Sequence, residues 1–167
     1  LGLKIDGDAI LNAPCKMQEW VNQMNSNIPL PEKHITVFAL KASQVGSVGI
    51  GMPIFEEIVF RGIIQDVLLT RIPKYVIKKI APGKETVLDT RIAQASRITL
   101  TAALFSSCHL LNSGVMPDSY IRQQLVATFV GGIGLGILKE SKAGLLGSMG
   151  GHIAYNMIAI SPALWSC

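Results

Sequence analysis

Apolar and polar positions divide the chain into a polar N-terminal part and a longer apolar part. Up to about residue 34, Asn, Gln and Pro recur, and no apolar run is long enough to cross a bilayer. The later apolar stretches, which lack Asp, Glu, Lys and Arg, are 42–55, 98–117, 123–138 and 143–167. The alternation of apolar and polar residues that is typical of strands is not sustained anywhere. The pattern predicts a polar extension over residues 1–34 and a helical core over residues 35–167.

The lengths of the apolar stretches favour helices that cross a membrane. Stretches 98–117 and 143–167 are long enough for a bilayer core of about 30 Å at about 1.5 Å per residue, and the other two are marginal. Between the stretches, breaks are expected at 73–82, 112–117 and 139–142. The prediction is an all-α fold, a membrane-type helical bundle of about four apolar helices in a multi-pass protein.

Glycine content supports a membrane bundle. In a soluble helix each glycine would cost roughly 1 kcal/mol, whereas in lipid small residues let helices approach closely. The glycines in question are Gly132, Gly134, Gly136, Gly147, Gly150 and Gly151. Because the spans are short and Arg61 falls close to the first of them, a soluble all-helical variant with a buried polar centre stays open as an alternative.

Composition and charge narrow the function classes. Charged residues make up 16% of the chain, below the roughly 25% of ordinary soluble domains, and the mean hydropathy is +0.41. The net charge is +4, but aromatic residues are only 6% and the basic residues form no stripe, so we expect no nucleic-acid partner. The basic stretch 71–84 favours the cytoplasmic edge of a membrane, with a solvated loop as the alternative.

The three cysteines do not suggest a disulfide framework. Cys15, Cys108 and Cys167 are an odd number without a CxxC pair. Cys108 precedes His109, but neighbouring residues on a helix point about 100° apart and do not readily share a proton. A Cys/His nucleophile is therefore disfavoured.

A small set of polar residues lies in or beside the apolar stretches. A charge inside a bilayer costs several kcal/mol, so such residues usually face the bundle interior and mark function. Residues four apart on a helix share a face. Three such pairs occur on three predicted helices: Glu57 with Arg61, Phe105 with His109, and His152 with Asn156.

The residue types suggest hydrolytic chemistry. An ion pair between Glu57 and Arg61 would leave Glu56 as the carboxylate available as a general base. His109 and His152 could join Glu56 in a catalytic zinc site with an open position for water, or could hold the water and a developing oxyanion without a metal. Asn156 is an amide donor suited to stabilising a tetrahedral intermediate. At this point both mechanisms stay open.

With these motifs the sequence resembles the CPBP family, the CAAX-protease and bacteriocin-processing group of intramembrane peptidases also called the Abi family. The family pattern of Glu-Glu-x-x-x-Arg, Phe-x-x-x-His and His-x-x-x-Asn appears here in order at residues 56–61, 105–109 and 152–156. Each motif is weak singly, but the ordered set is specific. The resemblance covers about residues 49–159.

The resemblance implies an intramembrane endopeptidase with a peptide or protein substrate, of the CAAX-tail or leader-peptide type, and membrane lipid as its surroundings. It implies that Glu56 activates water with His109, while His152 and Asn156 support the oxyanion. Glu57 and Arg61 would be structural partners. Zinc-dependent and metal-free mechanisms have both been proposed for the family, and with zinc the ligands would be Glu56, His109 and His152.

Two other function classes compete with a peptidase. A non-catalytic membrane scaffold or immunity-type binding protein could keep the fold, but it would have no need of the complete polar set. A proton or ion conduit could use buried Glu and His residues, but it would require a continuous polar path, and the sequence offers a single cluster. The sequence therefore favours the enzyme.

Overall fold

The fold is known from a computed structural model, which describes residues 39, 41–43, 45–114 and 117–166. Over this part of the chain helices follow one another and no strand is present, which confirms the all-α class. The α-helices are α1 (Met52–Glu57), α2 (Ile72–Ile80), α3 (Arg91–Cys108), α4 (Asp118–Glu140) and α5 (Gly144–Ser166). The expected N-terminal extension, residues 1–34, lies outside the described residues, as do Cys15 and Cys167.

The first long helical run joins α1 and α2 to two π-helical segments, Val45–Gly51 and Ile58–Arg71. In a π-helix each N–H bonds the carbonyl five residues earlier, and such helices are rare in proteins. At the end of the second segment, for example, the N–H of Ile72 bonds the carbonyl of Val67. With α3, α4 and α5, this run makes four main helical runs between residues 45 and 166, matching the expected number.

The break expected over residues 73–82 lies later in the chain. Helix α2 continues to Ile80, with Pro73 in its first turn, a position where proline is tolerated. The chain turns at residues 81–84, where Gly83 has a φ of +88° that favours glycine. A 3₁₀ segment, Glu85–Asp89, then leads to α3. The prediction misplaced the break because it treated proline as ending a helix wherever it stands.

The remaining helix ends follow familiar capping chemistry. Thr90 begins α3, and its hydroxyl accepts a hydrogen bond from the N–H of Ala93 at 3.3 Å. A 3₁₀ segment, His109–Gly114, ends the α3 run. Helix α4 begins after Pro117 and ends at Glu140, and α5 begins at Gly144, which has a φ of +60°. The expected break over 139–142 is confirmed.

The described residues fall into two compact units. The larger unit, Ile54–His152, has a small apolar core in which α3 packs against α4. Gly132 and Gly136 permit this approach, because a Cβ on them would lie 3.1 Å from that of Ala102 and 2.8 Å from Ile98 Cγ2. In the smaller unit, a Cβ on Gly49 would lie 2.8 Å from the sulfur of Met157.

Polarity is inverted relative to a soluble domain. Many large apolar side chains are exposed, including Phe55 at 61%, Val130 at 63% and Leu146 at 80%, while Glu57 and Arg61 are fully buried. Among the described residues, one helix, α4, is long and apolar enough to cross a membrane by length and composition, with a mean hydropathy of 1.3. A multi-pass arrangement therefore stays a prediction.

Candidate active site

Glu57 is the centre of a buried polar cluster in the larger unit. Its side chain is 0% exposed, and its Oε1 lies 3.0 Å from Nη1 of Arg61, which forms the ion pair that the spacing predicts. Oε1 also lies 2.9 Å from Nδ1 of His152, and Oε2 accepts a hydrogen bond from the hydroxyl of Ser148. Three partners from two helical runs therefore fix this carboxylate.

Arg61 links the cluster to helix α4. The guanidinium is fully buried, and its Nη2 donates to the carbonyl of Gly132 at 3.1 Å. Its Cζ lies 4.8 Å from the centroid of the Phe105 ring, within range of a cation–π interaction. Because it bonds Glu57, a backbone carbonyl and an aromatic face, Arg61 is held in one orientation.

His152 lies between the two adjacent glutamates. Its Nδ1 faces Glu57, and its Nε2 is 3.5 Å from Oε2 of Glu56. The Glu56 side chain is 21% exposed, whereas that of Glu57 is 0% exposed. The expectation that Glu57 takes the ion pair and Glu56 remains apart from it agrees with this geometry, although Glu56 faces His152 rather than standing without a partner.

His109 stands at the end of α3. Its Nδ1 lies 3.0 Å from the carbonyl of Phe105, so a neutral ring donates from Nδ1 and leaves the lone pair on Nε2. The ring packs edge-on against Phe105, with centroids 5.0 Å apart, and Phe105 packs likewise against His152 at 5.6 Å. Both histidines interact electrostatically with the Glu56 carboxylate. The structure thus gathers His109 and His152 on either side of one aromatic ring.

Asn156 belongs to the smaller unit. Its amide Nδ2 donates to the carbonyl of Val48 at 3.0 Å. Its expected role as an oxyanion donor stays a prediction.

The sequence analysis missed two members of the cluster. Ser148 is fully buried, bonds Glu57, and lies 3.1 Å from the carbonyl of Leu135. It stands four residues before His152, so the spacing that singled out Asn156 would also have found it. Phe105 was named only as the residue one turn before His109 and was given no chemical role, yet it contacts Arg61 and both histidines.

A second polar group continues from the cluster along the same helical run. Gln65 is four residues beyond Arg61 and fully buried, and its Nε2 donates to Glu140 at 2.9 Å. Arg97 forms a bidentate pair with Glu140, through bonds of 2.7 and 2.6 Å, and donates to the carbonyl of Leu88 at 2.7 Å. These contacts tie α3 and the end of α4 to the π-helical segment that carries Arg61.

The zinc ligands that the family resemblance implies are Glu56, His109 and His152. Within the described ranges, no group of three or more His, Cys, Asp or Glu side chains is arranged to hold a metal ion. His152 directs one nitrogen to Glu57 and the other towards Glu56. Zinc binding by Glu56, His109 and His152 stays a prediction.

The ordered motifs and the cluster that joins them agree with a comparison against protein families. Residues 38–158 match the model of a family described as type II CAAX prenyl endopeptidase Rce1-like. The chain belongs to this family. It is the CPBP family that the three motifs indicated, and the match covers each of them. Comparisons with curated proteins and with solved structures gave no match.

Membership in the Rce1-like family settles the coarse questions. The family is membrane-embedded, and its description is that of a prenyl endopeptidase, which acts on a peptide or protein. The exposed apolar side chains agree with a membrane setting, because lipid-facing surfaces need no polar cover. The assignment of catalytic roles to individual residues goes beyond the family and is proposed next.

Proposed function

We propose that this Rce1-like chain is an intramembrane endopeptidase that hydrolyses a substrate of the CAAX-tail or leader-peptide type by direct attack of water. The observation that carries the proposal is the position of Glu56. Its carboxylate is partly exposed and lies 3.5 Å from His152 Nε2, beside a fully buried Glu57–Arg61 ion pair. A site with one accessible carboxylate and one neutralised neighbour suits general-base catalysis.

In the proposed reaction Glu56 takes a proton from water while the water oxygen bonds to the scissile carbonyl carbon. Nε2 of His109 accepts a hydrogen bond from the other O–H of that water and so orients it, because Nδ1 donates to the Phe105 carbonyl. When the tetrahedral intermediate collapses, the C–N bond breaks and Glu56 returns its proton to the leaving amine. Water is consumed and no covalent enzyme intermediate forms.

The negative charge on the carbonyl oxygen needs donors. When His152 carries two ring protons, Nδ1 donates to Glu57. Nε2–H, which faces Glu56 at 3.5 Å, can donate to the oxyanion once Glu56 has taken the proton from water. Glu57, held by Arg61 and Ser148, would keep the His152 ring oriented during the step. The family resemblance implies a second donor, the amide of Asn156, and that role stays a prediction.

A cleavage assay tests the function. Purified chain in proteoliposomes would be given a prenylated C-terminal peptide and, separately, a leader-type peptide, and products would be identified by mass spectrometry. We expect cleavage of at least one substrate into two fragments that together gain the mass of one water. Binding of both peptides without cleavage would contradict the proposal and favour the scaffold reading.

The same cleavage assay with a metal chelator tests whether hydrolysis needs a metal ion. Retained turnover after chelation supports proton transfer by Glu56 without a metal. Loss of turnover that zinc restores would contradict the direct mechanism while leaving the peptidase function intact.

A further inference from the structure

Helix α2 has an amphipathic sequence but no buried residue. Four of its apolar side chains are well exposed: Ile72 at 48%, Tyr75 at 61%, Val76 at 43% and Ile80 at 78%. At 100° per residue Ile72, Val76 and Ile80 share one side of the helix, and Tyr75 lies beyond its edge, next to Lys79. In the larger unit, α2 therefore presents an apolar stripe that its own neighbours do not cover.

The basic residues of this region differ in whether a carboxylate pairs with them. Arg71 pairs with Asp66 at 2.7 Å, and Lys74 pairs with Asp89 at 2.5 Å. In the part of the chain that the structure describes, no carboxylate lies within salt-bridge distance of Lys78 or Lys79. Lys79 instead places its ammonium 4.8 Å from the centroid of the Tyr75 ring. Of these two exposed cations, Lys79 therefore lies at the edge of the apolar stripe, and Lys78 lies on the opposite, polar side of the helix.

We infer that α2 lies at the boundary between lipid and water and binds anionic phospholipid headgroups through Lys78 and Lys79. The stripe of Ile72, Val76 and Ile80 enters the acyl boundary, and Tyr75 occupies the headgroup level, where amphipathic rings are enriched. The inference goes beyond peptide hydrolysis, because it assigns a lipid class to a helix that carries none of the three motifs.

The lysines of α2 and its exposed apolar side chains favour a position at the membrane surface over a position inside the bilayer or in water. Three lysines in a nine-residue helix make a fully embedded position costly. A helix exposed only to water would leave four large apolar side chains uncovered without gain. A basic helix with a separate apolar stripe instead fits an anionic bilayer surface, where each lysine near the headgroups contributes to binding.

The test uses the full chain in a neutral detergent and needs no substrate, so it is independent of the peptidase assay. Phosphatidylglycerol or phosphatidylcholine is added, and the thermal unfolding midpoint is followed as a function of lipid concentration. We expect phosphatidylglycerol to raise the midpoint at lower concentrations than phosphatidylcholine. The double variant Lys78→Gln/Lys79→Gln should need about 25-fold more phosphatidylglycerol for half of the effect, at about fivefold per lysine.

Lys142→Gln is the matched control, because Lys142 is an exposed lysine in the turn between α4 and α5. It should behave as the wild type. Equal responses of the wild type to the two lipids would overturn the inference. So would an unchanged phosphatidylglycerol response in the double variant, or an equal loss in Lys142→Gln.

Discussion

At the scale of the residue, the decisive feature is that charges are buried and paired. Glu57 and Arg61 are both 0% exposed and 3.0 Å apart. Removing one partner of such a pair leaves an uncompensated charge, which is far more damaging than losing an ion pair at the surface. A substitution that removes Arg61 alone should therefore lower the free energy of unfolding more than one that also neutralises Glu57.

Arg61→Ala should lower the free energy of unfolding by about 3–5 kcal/mol, because Glu57 would stay buried without its cation. Chemical denaturation in detergent measures the change. Arg71→Ala is the control from the same helical segment, since Arg71 is 72% exposed and pairs at the surface with Asp66. Its cost should be below about 1 kcal/mol.

The double variant Glu57→Gln/Arg61→Ala should recover part of the loss, because the remaining amide carries no charge. If Arg61→Ala and Arg71→Ala destabilised the protein equally, the buried pair would not be the structural centre described here.

Contacts between residues one helical turn apart could be predicted from the sequence, whereas the individual bonds between distant helices could not. The Glu57–Arg61 pair follows from a spacing of four, which any helix of similar pitch brings together. The bonds from Glu57 to Ser148 and His152 cross 91 and 95 residues, and no local pattern specifies which helices meet. The approach of Glu56 to His152 depends on the same packing, and the sequence anticipated it only through the possible shared zinc site.

At the scale of the element, the α3–α4 contact depends on small residues at defined positions. The carbonyls of Gly132 and Gly136 lie within reach of Arg61 and Gln65, at 3.1 and 3.3 Å. The close approach therefore serves hydrogen bonding as well as packing, and it joins α4 to the segment that carries the ion pair. Glycines elsewhere on α4 have no such role.

Gly136→Ala should lower the free energy of unfolding by about 1–3 kcal/mol, because the new methyl group would lie 2.8 Å from Ile98 Cγ2. Gly134→Ala is the control two residues away, where no atom lies within 4 Å of the added Cβ. It should be neutral or stabilise by up to about 1 kcal/mol through helix propensity. The thermal unfolding midpoints of the two variants give the comparison, and a larger loss in Gly134→Ala would refute the packing argument.

Helix class and approximate positions were accessible from the sequence, but hydrogen-bond register was not. Long apolar stretches without alternation predict helices. The π-helical segment Ile58–Arg71 lies outside those stretches and contains Arg61, Gln65 and Asp66, and a spacing of four residues does not distinguish an α-helical from a π-helical turn. Helix α2 was missed for another reason: its lysines and Pro73 were taken as signs of a break.

At the scale of the whole molecule, the chain places charge inside and apolar side chains outside. Glu57, Arg61, Gln65 and Ser148 are fully buried, while Ile80 and Leu146 are 78% and 80% exposed. Such an inversion is favourable where the surroundings are lipid, and it agrees with a membrane-embedded family. Of the two adjacent glutamates at the buried cluster, Glu56 has a partly exposed side chain, at 21%, and Glu57 has a fully buried one.

The most direct test of the proposed mechanism is the kcat/KM of Glu56→Gln for a membrane-presented peptide that the wild type cleaves. The glutamine keeps size and hydrogen bonding but is not a base, so we predict a fall of about 10²–10⁴-fold with an unchanged unfolding midpoint. Cys108→Ser, which alters the exposed thiol beside His109, should retain wild-type turnover. Wild-type turnover in folded Glu56→Gln would contradict the assignment of Glu56 as the base that activates water.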